Sequence, residues 1–437
     1  MTLTTWAGSH TFSGGPLLRP TSVEEVADVV AAVSRTRGHV RALGSRHSFH
    51  DLADGPGTLV ALDRLDVPVD VVPDDPAGPY AVVGGGVRYG ELARTLHAAG
   101  WALHTMASLP HIAVAGTVAT ATHGSGDTAV NLAAAVRGLE LVGAGGEVRR
   151  LGVLRDGRDV PDDELAGSVV ALGALGVVTR VALAVQPAYD VAQEVWLDLP
   201  WDVALARFDA LVGSAYSVSL FTDWRGDAVG QVWRKHRVPA GTAGTVPAPG
   251  DELAGARPAP GPVHPVPGAD PAACTQQGTV PGPWHERLPH FRLEHTPSAG
   301  AELQTEYLVP REHAVAAIEA MRGLRDVISP LLLVSEIRTV ARDDLWLSTA
   351  HGGPRVALHL TWQPWREQVE AALPVIEDAL APFAARPHWG KLFADRDRRL
   401  AELYPRWDEM RALVARRDPD GVFANDFLRR CGLRAEP

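Results

Sequence analysis

Five polar residues in the second half of the chain have types and spacings that could build a reactive site. Glu336 and Arg338 are two apart on an apolar, strand-like run, and His359 and Thr361 repeat that spacing on another. Side chains two residues apart on a strand point to the same face of a sheet. Lys391 follows the aromatic segment His-Trp-Gly, which suits a partly buried lysine with a lowered pKa. Such groups could converge on a cavity, bind a polar substrate and move a proton.

The same residues also fit a simpler arrangement. A strand can turn a polar face to solvent, with Glu336 and Arg338 in an ordinary ion pair, and most lysines such as Lys391 lie on the surface. The residue pattern alone leaves both interpretations open.

A second set of residues, in the first half, suits the binding of an anion. The loop 44–48 (GSRHS) follows a strand-like run and offers backbone N–H groups to a phosphate. Residues 107–126 are almost all small, and small side chains let a pyrophosphate approach the backbone closely. The hydroxyl donors of this stretch are Ser108, Thr117, Thr120 and Thr122.

Each of these features of the first half also has an ordinary structural interpretation. A lone glycine-rich turn is weak evidence, and a lone histidine such as His47 is more often a surface residue. Residues 107–126 could also be a tightly packed core segment. The clustering of hydroxyls with Gly116, Gly124 and Gly126 favours a cofactor lining instead.

The elements that carry these residues change character after Pro187. The first half alternates helices and strands with glycine-rich joints, which is typical of an α+β nucleotide-binding domain. The second half predicts an antiparallel sheet with covering helices. The predicted strands are 39–43, 58–62, 80–83, a hairpin over 139–151, the end of 168–185, 191–199, 217–224, 302–309, 331–340 and 356–362. The predicted helices are 20–36, 89–100, the start of 168–185, 311–324 and 365–380.

Composition limits the classes of protein that this chain can be. Its 437 residues suffice for two domains, and its net charge of −11 argues against nucleic-acid or anionic-membrane partners. Cys274 and Cys431 match no metal or redox motif, although a disulfide between them stays open. The sequence shows no signal peptide and no run of 18 apolar residues, so we expect a cytoplasmic protein without a membrane partner. The proline-rich stretch 239–283 predicts a long surface loop or flexible insertion.

Segments from both halves resemble the vanillyl-alcohol-oxidase type of FAD enzyme, and within it the family of alditol oxidases. The sugar-lactone oxidases are more distant relatives. The matching segments are 43–49 (LGSRHSF), 83–89 (VGGGVRY), 107–126 (ASLPHIAVAGTVATATHGSG), 173–179 (GALGVVT), 217–224 (SVSLFTDW), 281–291 (PGPWHERLPHF), 336–339 (EIRT) and 386–391 (RPHWGK). They span nearly the whole chain, and the proline-rich insertion matches least well.

The resemblance implies a two-domain α+β fold with an antiparallel-sheet cap domain. The FAD-binding domain would comprise residues 1–187, and the substrate domain, with its insertion 239–283, residues 188–385. Residues 386–437 would return to the FAD domain. His47 would bind the flavin 8α-methyl carbon covalently. The cofactor-binding residues implied are Leu43, Gly44, Ser45, Arg46, His47, Ser48, Phe49, Ser108, Ala113, Gly116, Thr117, Val118, Ala119, Thr120, His123, Gly124 and Val178.

The implied activity is oxidation of a small polyol, such as xylitol or sorbitol, at its C1 hydroxyl. Hydride would pass to flavin N5, and O₂ would reoxidise the flavin, giving an aldose and H₂O₂. Lys391, Arg338 and Glu336 would be catalytic, with Lys391 assisting loss of the hydroxyl proton. The substrate-binding residues implied are Ser108, Glu336, Arg338, His359, Thr361 and Lys391. No metal site is expected, and we expect a monomer.

Two residues depart from the family pattern. Arg46 and Ala121 stand where a glycine is frequent. A position that needs a positive φ would be strained by arginine. Neither change removes a reacting group, so the chemistry stays in place while the efficiency of covalent attachment is in question.

The sequence leaves two alternative functions open. One keeps the fold and makes the chain an aldonolactone oxidase, or a polyol dehydrogenase that uses another electron acceptor. The other is a nucleotide-binding module without catalysis. The set of Glu336, Arg338, His359 and Lys391 argues against that module, because binding FAD alone needs no second polar site.

Overall fold

The strands and helices fall into two groups that meet along one long cavity. The computed structural model describes residues 3–154, 163–241, 246–295, 301–394 and 398–435. Its strands are β1 (Leu17–Leu18), β2 (Val40–Leu43), β3 (Thr58–Ala61), β4 (Asp70–Val72), β5 (Tyr80–Gly84), β6 (Trp101–Ala102), β7 (Val136–Val142), β8 (Val148–Gly152), β9 (Val177–Ala184), β10 (Gln186–Pro187), β11 (Asp190–Pro200), β12 (Ser217–Thr222), β13 (Ala228–Val238), β14 (Arg257–Pro258), β15 (Gly282–Pro283), β16 (Leu303–Pro310), β17 (Leu332–Val340), β18 (Arg355–Trp362) and β19 (Arg386–Pro387). Its α-helices are α1 (Val23–Arg35), α2 (Tyr89–Ala98), α3 (Val114–Ala119), α4 (Asp163–Val169), α5 (Trp201–Ala206), α6 (Phe208–Val212), α7 (Trp284–Arg287), α8 (Ala314–Gly323), α9 (Arg325–Ile328), α10 (Arg366–Leu380), α11 (Arg398–Leu403), α12 (Trp407–Arg417) and α13 (Asp426–Arg430).

The first group contains two main sheets. Strands β1, β3 and β2 form a small parallel sheet, and β4, β5, β9, β7 and β8 form an antiparallel one. In the glycine-rich turn after β5, the backbone packs closely against neighbouring backbone carbonyls. A Cβ on Gly85 would lie 2.3 Å from the Val178 carbonyl oxygen, and one on Gly86 would lie 2.0 Å from that of Leu62. Only glycine fits there, so this turn can lie against the cavity.

The second group is a nine-stranded sheet. Its main path runs β14-β11-β13-β12-β17-β18-β16-β19, and β15 pairs with β11. Helices α5, α6, α8 and α10 pack on one face through a large apolar core, in which Trp362 and Ile318 are fully buried. This leaves the opposite face of β16, β17 and β18 for polar side chains.

The C-terminal residues connect the two groups. Strand β19 joins the edge of the nine-stranded sheet through β16. Farther along, the Asn425 side chain donates to the Leu52 and Asp54 carbonyls at 3.0 and 2.8 Å, and the Val422 carbonyl accepts from Val40. These contacts support the proposed division into residues 1–187, 188–385 and a returning segment 386–437.

The proline-rich insertion differs in part from its prediction. Residues 242–245 lie outside the described ranges, and the rest contains little regular structure, as expected. It is not simply a surface loop, however. Val263 and Val266 pack against buried Cys274 and Trp233, and the segment around Val266 lines the cavity. Apolar side chains among the prolines anchor this part to the sheet.

Two further features settle questions left by the sequence. Cys274 and Cys431 are both buried, and no disulfide joins them. Among the helices described, none is both long enough and apolar enough to cross a membrane.

Arg46 and Ala121 both have left-handed backbones. Their φ angles are 63° and 53°. The Arg46 side chain is exposed, and its Nη1 donates to the Thr4 carbonyl at 3.0 Å, while the Arg46 carbonyl accepts from Trp6 N at 2.7 Å. Hydrogen bonds from the N-terminal segment therefore hold the strained turn that carries His47.

We expect the free energy of unfolding of Arg46→Val to lie about 1–2 kcal/mol below that of Arg46→Gly, because a β-branched residue is strained at this φ and glycine is not. Arg46→Gly should change it little, because relief of strain is offset by about 0.4–1 kcal/mol of added chain entropy. Urea unfolding of both variants beside the unchanged protein measures the difference. Equal losses in both would show that the Arg46 side chain, and not its backbone conformation, matters.

Candidate functional site

A cavity of about 830 Å³ runs between the first group of elements and the polar face of the nine-stranded sheet. From the first group it is lined by the loop 43–49 and by residues near α3. From the second group it is lined by β16, β17, β18 and the segment around Lys391. Anything bound along its length would touch both halves of the chain.

Strand register places the polar side chains of the sheet in rows. His359 on β18 pairs with Glu306 on β16 and with Glu336 on β17. Directly opposed residues of an antiparallel pair point to the same face. Thr361 pairs with Gln304 in the next row, so this face carries both predicted substrate residues of β18.

Glu306 connects the cations of the site. Its side chain is 1% exposed, its Oε1 accepts a short hydrogen bond from Arg338 Nη2, and its Oε2 accepts from Lys391 Nζ at 2.7 Å. Burial alone would raise the pKa of Glu306, but the Arg338 and Lys391 cations hold that pKa well below its ordinary range. The Glu306 carboxylate therefore stays charged and fixes both cations at the cavity.

Glu336 and Arg338 lie side by side, 4% and 5% exposed, so their strand face is buried. Arg338 Nε lies 3.6 Å from Glu336 Oε2, and Arg338 Nη1 donates to Ser108 Oγ at 3.4 Å. Glu336 Oε1 pairs with His290 Nε2 at 2.8 Å. Burial opposes ionisation of Glu336, but Arg338 and His290 lower its pKa, so it too is a carboxylate. The solvent-facing alternative for this strand is wrong.

Lys391 is held by the turn that follows β19. Lys391 N donates to the His388 carbonyl at 3.0 Å, and Gly390 N donates to His388 Nδ1 at 3.1 Å. The Lys391 side chain is 13% exposed. Burial lowers its pKa, whereas Glu306 raises it and Arg338 lowers it further. A lysine with a lowered pKa can exchange a proton more readily than a surface lysine.

His359 and His388 are neutral groups of the same site. Burial, together with the nearby Lys391 charge, holds the pKa of each well below its ordinary value. His359 Nε2 lies 3.2 Å from Gln304 Oε1, which can only accept, so this nitrogen carries the hydrogen. Among the residues described, His359 Nδ1 has no partner, and it can accept a hydrogen bond from a bound hydroxyl.

His47 lines the cavity from the loop 43–49. Its ring stacks on Trp6 with centroids 5.1 Å apart, and its Nδ1 lies 3.0 Å from the Ser45 carbonyl. Burial lowers the pKa of His47 to about 4, although the bond to Ser45 opposes the shift. The imidazole is therefore neutral and retains a lone pair for bonding.

Most residues expected to bind the cofactor line this cavity, and the exceptions have clear causes. Val118 faces the apolar core, and Gly124 packs against Thr105 and Met106. Thr117 lines the cavity but gives its hydroxyl hydrogen to the Ala113 carbonyl at 2.7 Å, so it is not the donor we expected. The expected residues that line the cavity are Leu43, Gly44, Ser45, Arg46, His47, Ser48, Phe49, Ser108, Ala113, Gly116, Thr117, Ala119, Thr120, His123 and Val178.

The chemistry of this lining fits FAD. A Cβ added to Gly116 would meet no atom within 4 Å, so its backbone is accessible to a ligand. Ser168 Oγ lines the cavity, is buried, and has no hydrogen-bond partner among the described residues. A buried hydroxyl that lines a cavity without a protein partner is available to bond a ligand atom.

Sequence reasoning missed Glu306, Gln304, His290 and His388. The first two alternate on β16 as Glu336 and Arg338 do on β17, so the same spacing could have found them. His290 and His388 lie in irregular segments and give no periodic signal. Ligand atoms of His123, Glu306 and His388 lie within 4.8 Å of one another. Because Arg338 and Lys391 occupy both Glu306 oxygens, a metal ion there would face two cations.

Two protein-family models match the segments that carry the two parts of the cavity lining. An FAD binding domain family matches residues 16–152, which carry the His47 loop. A D-arabinono-1,4-lactone oxidase family matches residues 301–431, which carry the polar strands and Lys391.

Curated relatives match nearly the full chain. An alditol oxidase of Streptomyces sp. (strain IKD472 / FERM P-14339) is 48% identical, and the match covers 98% of each chain. An L-gulono-1,4-lactone dehydrogenase of Mycobacterium tuberculosis is 31% identical, with 97% of each chain covered.

Solved structures show the same fold at low identity. A cholesterol oxidase from B. sterolicum superposes with a TM-score of 0.78 at 13% identity, over 98% of this chain and 96% of the other. The predicted α+β fold of the vanillyl-alcohol-oxidase type is thus confirmed. With 48% identity over almost its full length, the chain belongs to the alditol oxidase family of FAD-binding oxidoreductases.

Proposed function

We propose that this protein is an FAD-dependent oxidase of alditols such as xylitol and sorbitol, acting at the C1 hydroxyl with O₂ as acceptor. The observation that carries the proposal is the buried set of Glu306, Arg338, Glu336 and Lys391, which lines a cavity that fits FAD. A cytoplasmic location remains part of the proposal because the chain has only two cysteines, and a monomer remains an expectation.

We propose that FAD lies along the cavity and is bound covalently through His47. The neutral imidazole of His47 and the accessible backbone of Gly116 support this placement. When bound, FAD would supply the redox chemistry: it would accept one hydride, which carries two electrons, from the alcohol carbon while the hydroxyl loses a proton, and the two electrons would then reduce O₂ to H₂O₂.

The chain supplies orientation and charge at the alcohol. Arg338 would stabilise negative charge developing on the C1 oxygen. Lys391, in its neutral form, would take the hydroxyl proton directly or through water, and once protonated it would add its positive charge to that of Arg338. Glu336 would accept a hydrogen bond from the neighbouring hydroxyl. The groups that would hold the other hydroxyls are His359, Thr361 and Ser108.

The decisive experiment follows H₂O₂ formation with xylitol, sorbitol and an aldonolactone in turn. The proposal expects peroxide from both polyols. A second candidate, a lactone oxidase or dehydrogenase, is favoured by the lactone dehydrogenase relative. Peroxide from the lactone alone, or turnover with an artificial acceptor but not with O₂, would establish that candidate instead.

His47→Ala should abolish covalent attachment of the flavin, because the variant lacks the lone pair that makes the bond. After acid precipitation, the yellow colour should stay with the unchanged protein and leave the variant. His50→Ala is a matched control, because His50 Nε2 bonds the Trp389 carbonyl at 3.0 Å instead. Flavin that remains attached to denatured His47→Ala would refute the assignment.

Glu306→Gln should move the acid limb of the kcat/KM profile to lower pH. Lys391 must be neutral to take a proton, so activity rises as pH passes its pKa. Glu306 raises the pKa of Lys391, and removing that charge lowers it. Lys391→Met should remove the limb and reduce turnover by roughly 10²–10⁴-fold. An acid limb that moves upward in Glu306→Gln, or a normal rate in Lys391→Met, would exclude Lys391 as the proton acceptor.

A further inference from the structure

Lys235 lies behind the substrate end of the cavity, on β13. It is 1% exposed, and its ammonium has three partners. Lys235 Nζ donates to the carbonyls of Leu288 and Pro289 at 2.6 and 3.1 Å and lies 3.2 Å from His290 Nδ1. No residue of the mechanism above touches Lys235 directly.

The hydrogens of Lys235 determine the tautomer of His290. An ammonium has three donors and no acceptor, so His290 Nδ1 must accept from it. The remaining hydrogen of neutral His290 then lies on Nε2. Nε2 donates to Glu336 Oε1 at 2.8 Å. The chain of bonds thus runs in one direction, from Lys235 through His290 to the Glu336 carboxylate.

The charge of Lys235 depends on its burial and on the Glu336 carboxylate. Burial lowers the pKa of Lys235 to about 7, and Glu336 opposes the shift. The other titratable groups facing it stay uncharged, because burial raises the pKa of Cys274 to about 12 and lowers that of His290. Below about pH 7 the ammonium form prevails and the bond direction is set.

The same segment also holds a second substrate residue. The backbone N–H groups of His290 and Phe291 donate to the Ser108 carbonyl at 3.1 and 3.3 Å. Lys235, by bonding the carbonyls of Leu288 and Pro289, fixes the segment from which these donors project. Glu336 and Ser108 are therefore positioned from a common anchor.

We propose that Lys235 and His290 are positioning residues that keep Glu336 an obligate acceptor for the substrate hydroxyl next to the reacting one. They thereby give the site its selectivity for substrates that carry that hydroxyl. A site built to bond a hydroxyl discriminates against analogues that lack it, because its buried group is left unpaired. This inference rests on the proposed function.

The test compares an alditol with its 2-deoxy derivative at about pH 6, where Lys235 is an ammonium. Lys235→Met and His290→Leu should reduce the kcat/KM preference for the alditol at least about tenfold, mainly through KM, because Glu336 is no longer oriented. The 2-deoxy substrate should be affected little. His290→Gln, whose amide can both accept and donate, should restore much of the preference.

Two results would overturn the proposal. Equal losses with both substrates would mean that the pair merely supports the fold. A further loss of preference on adding Lys235→Met to Glu336→Gln would mean that Lys235 does not act through Glu336.

A measurement without turnover separates this inference from the proposed function. In protein labelled with ¹⁵N-histidine, the His290 signal, identified by its loss in His290→Gln, should show hydrogen on Nε2 and none on Nδ1. Hydrogen on Nδ1 would refute the arrangement even if polyols are oxidised. The expected tautomer in a protein that makes no peroxide from polyols would refute the proposed function and leave the arrangement intact.

Discussion

The burial of the Glu306 carboxylate is the interaction on which the site depends. Removing a carboxylate from water costs several kcal/mol, and only close, well-oriented cations offset that cost. Arg338 and Lys391 provide that compensation, one at each oxygen. The side chains of Arg338 and Lys391 are therefore held in fixed positions. Groups that are already in place stabilise charge in a transition state best, because they need not reorganise during the reaction.

This requirement determines how the distant parts of the chain must meet. Glu306 and Arg338 come from strands separated by β18, and Lys391 comes from the C-terminal segment. That segment is fixed on both sides. Trp389 is fully buried and donates to the Leu347 carbonyl at 2.8 Å, and the Gly390 carbonyl accepts from Phe49 N at 3.0 Å. The turn carrying Lys391 is therefore bonded directly to the loop carrying His47, so the position of each depends on the other.

The sequence was informative where periodicity and chemistry agree. The alternation of Glu336 and Arg338 predicted a shared face, and most predicted strands and helices occur within a few residues of their expected limits. It failed where tertiary contacts override local pattern. Strand β13 contains Arg234-Lys235-His236-Arg237, which looks like a solvated run, yet Lys235 is fully buried. No local signal reveals that its partners are carbonyls more than fifty residues away.

The balance of charge in the site bears on the kind of substrate it can hold. Two carboxylates, Glu306 and Glu336, face two cations, Arg338 and Lys391, while burial keeps His359 uncharged. A charged substrate would upset this balance in a poorly solvated cavity, where an unpaired charge is costly. A neutral polyhydroxylated molecule leaves the net charge of the site unchanged. Its hydroxyls can also bond groups that lack partners among the described residues, such as His359 Nδ1. Negative charge then appears only as the alcohol loses its proton, beside the Arg338 cation and the Lys391 side chain that takes that proton.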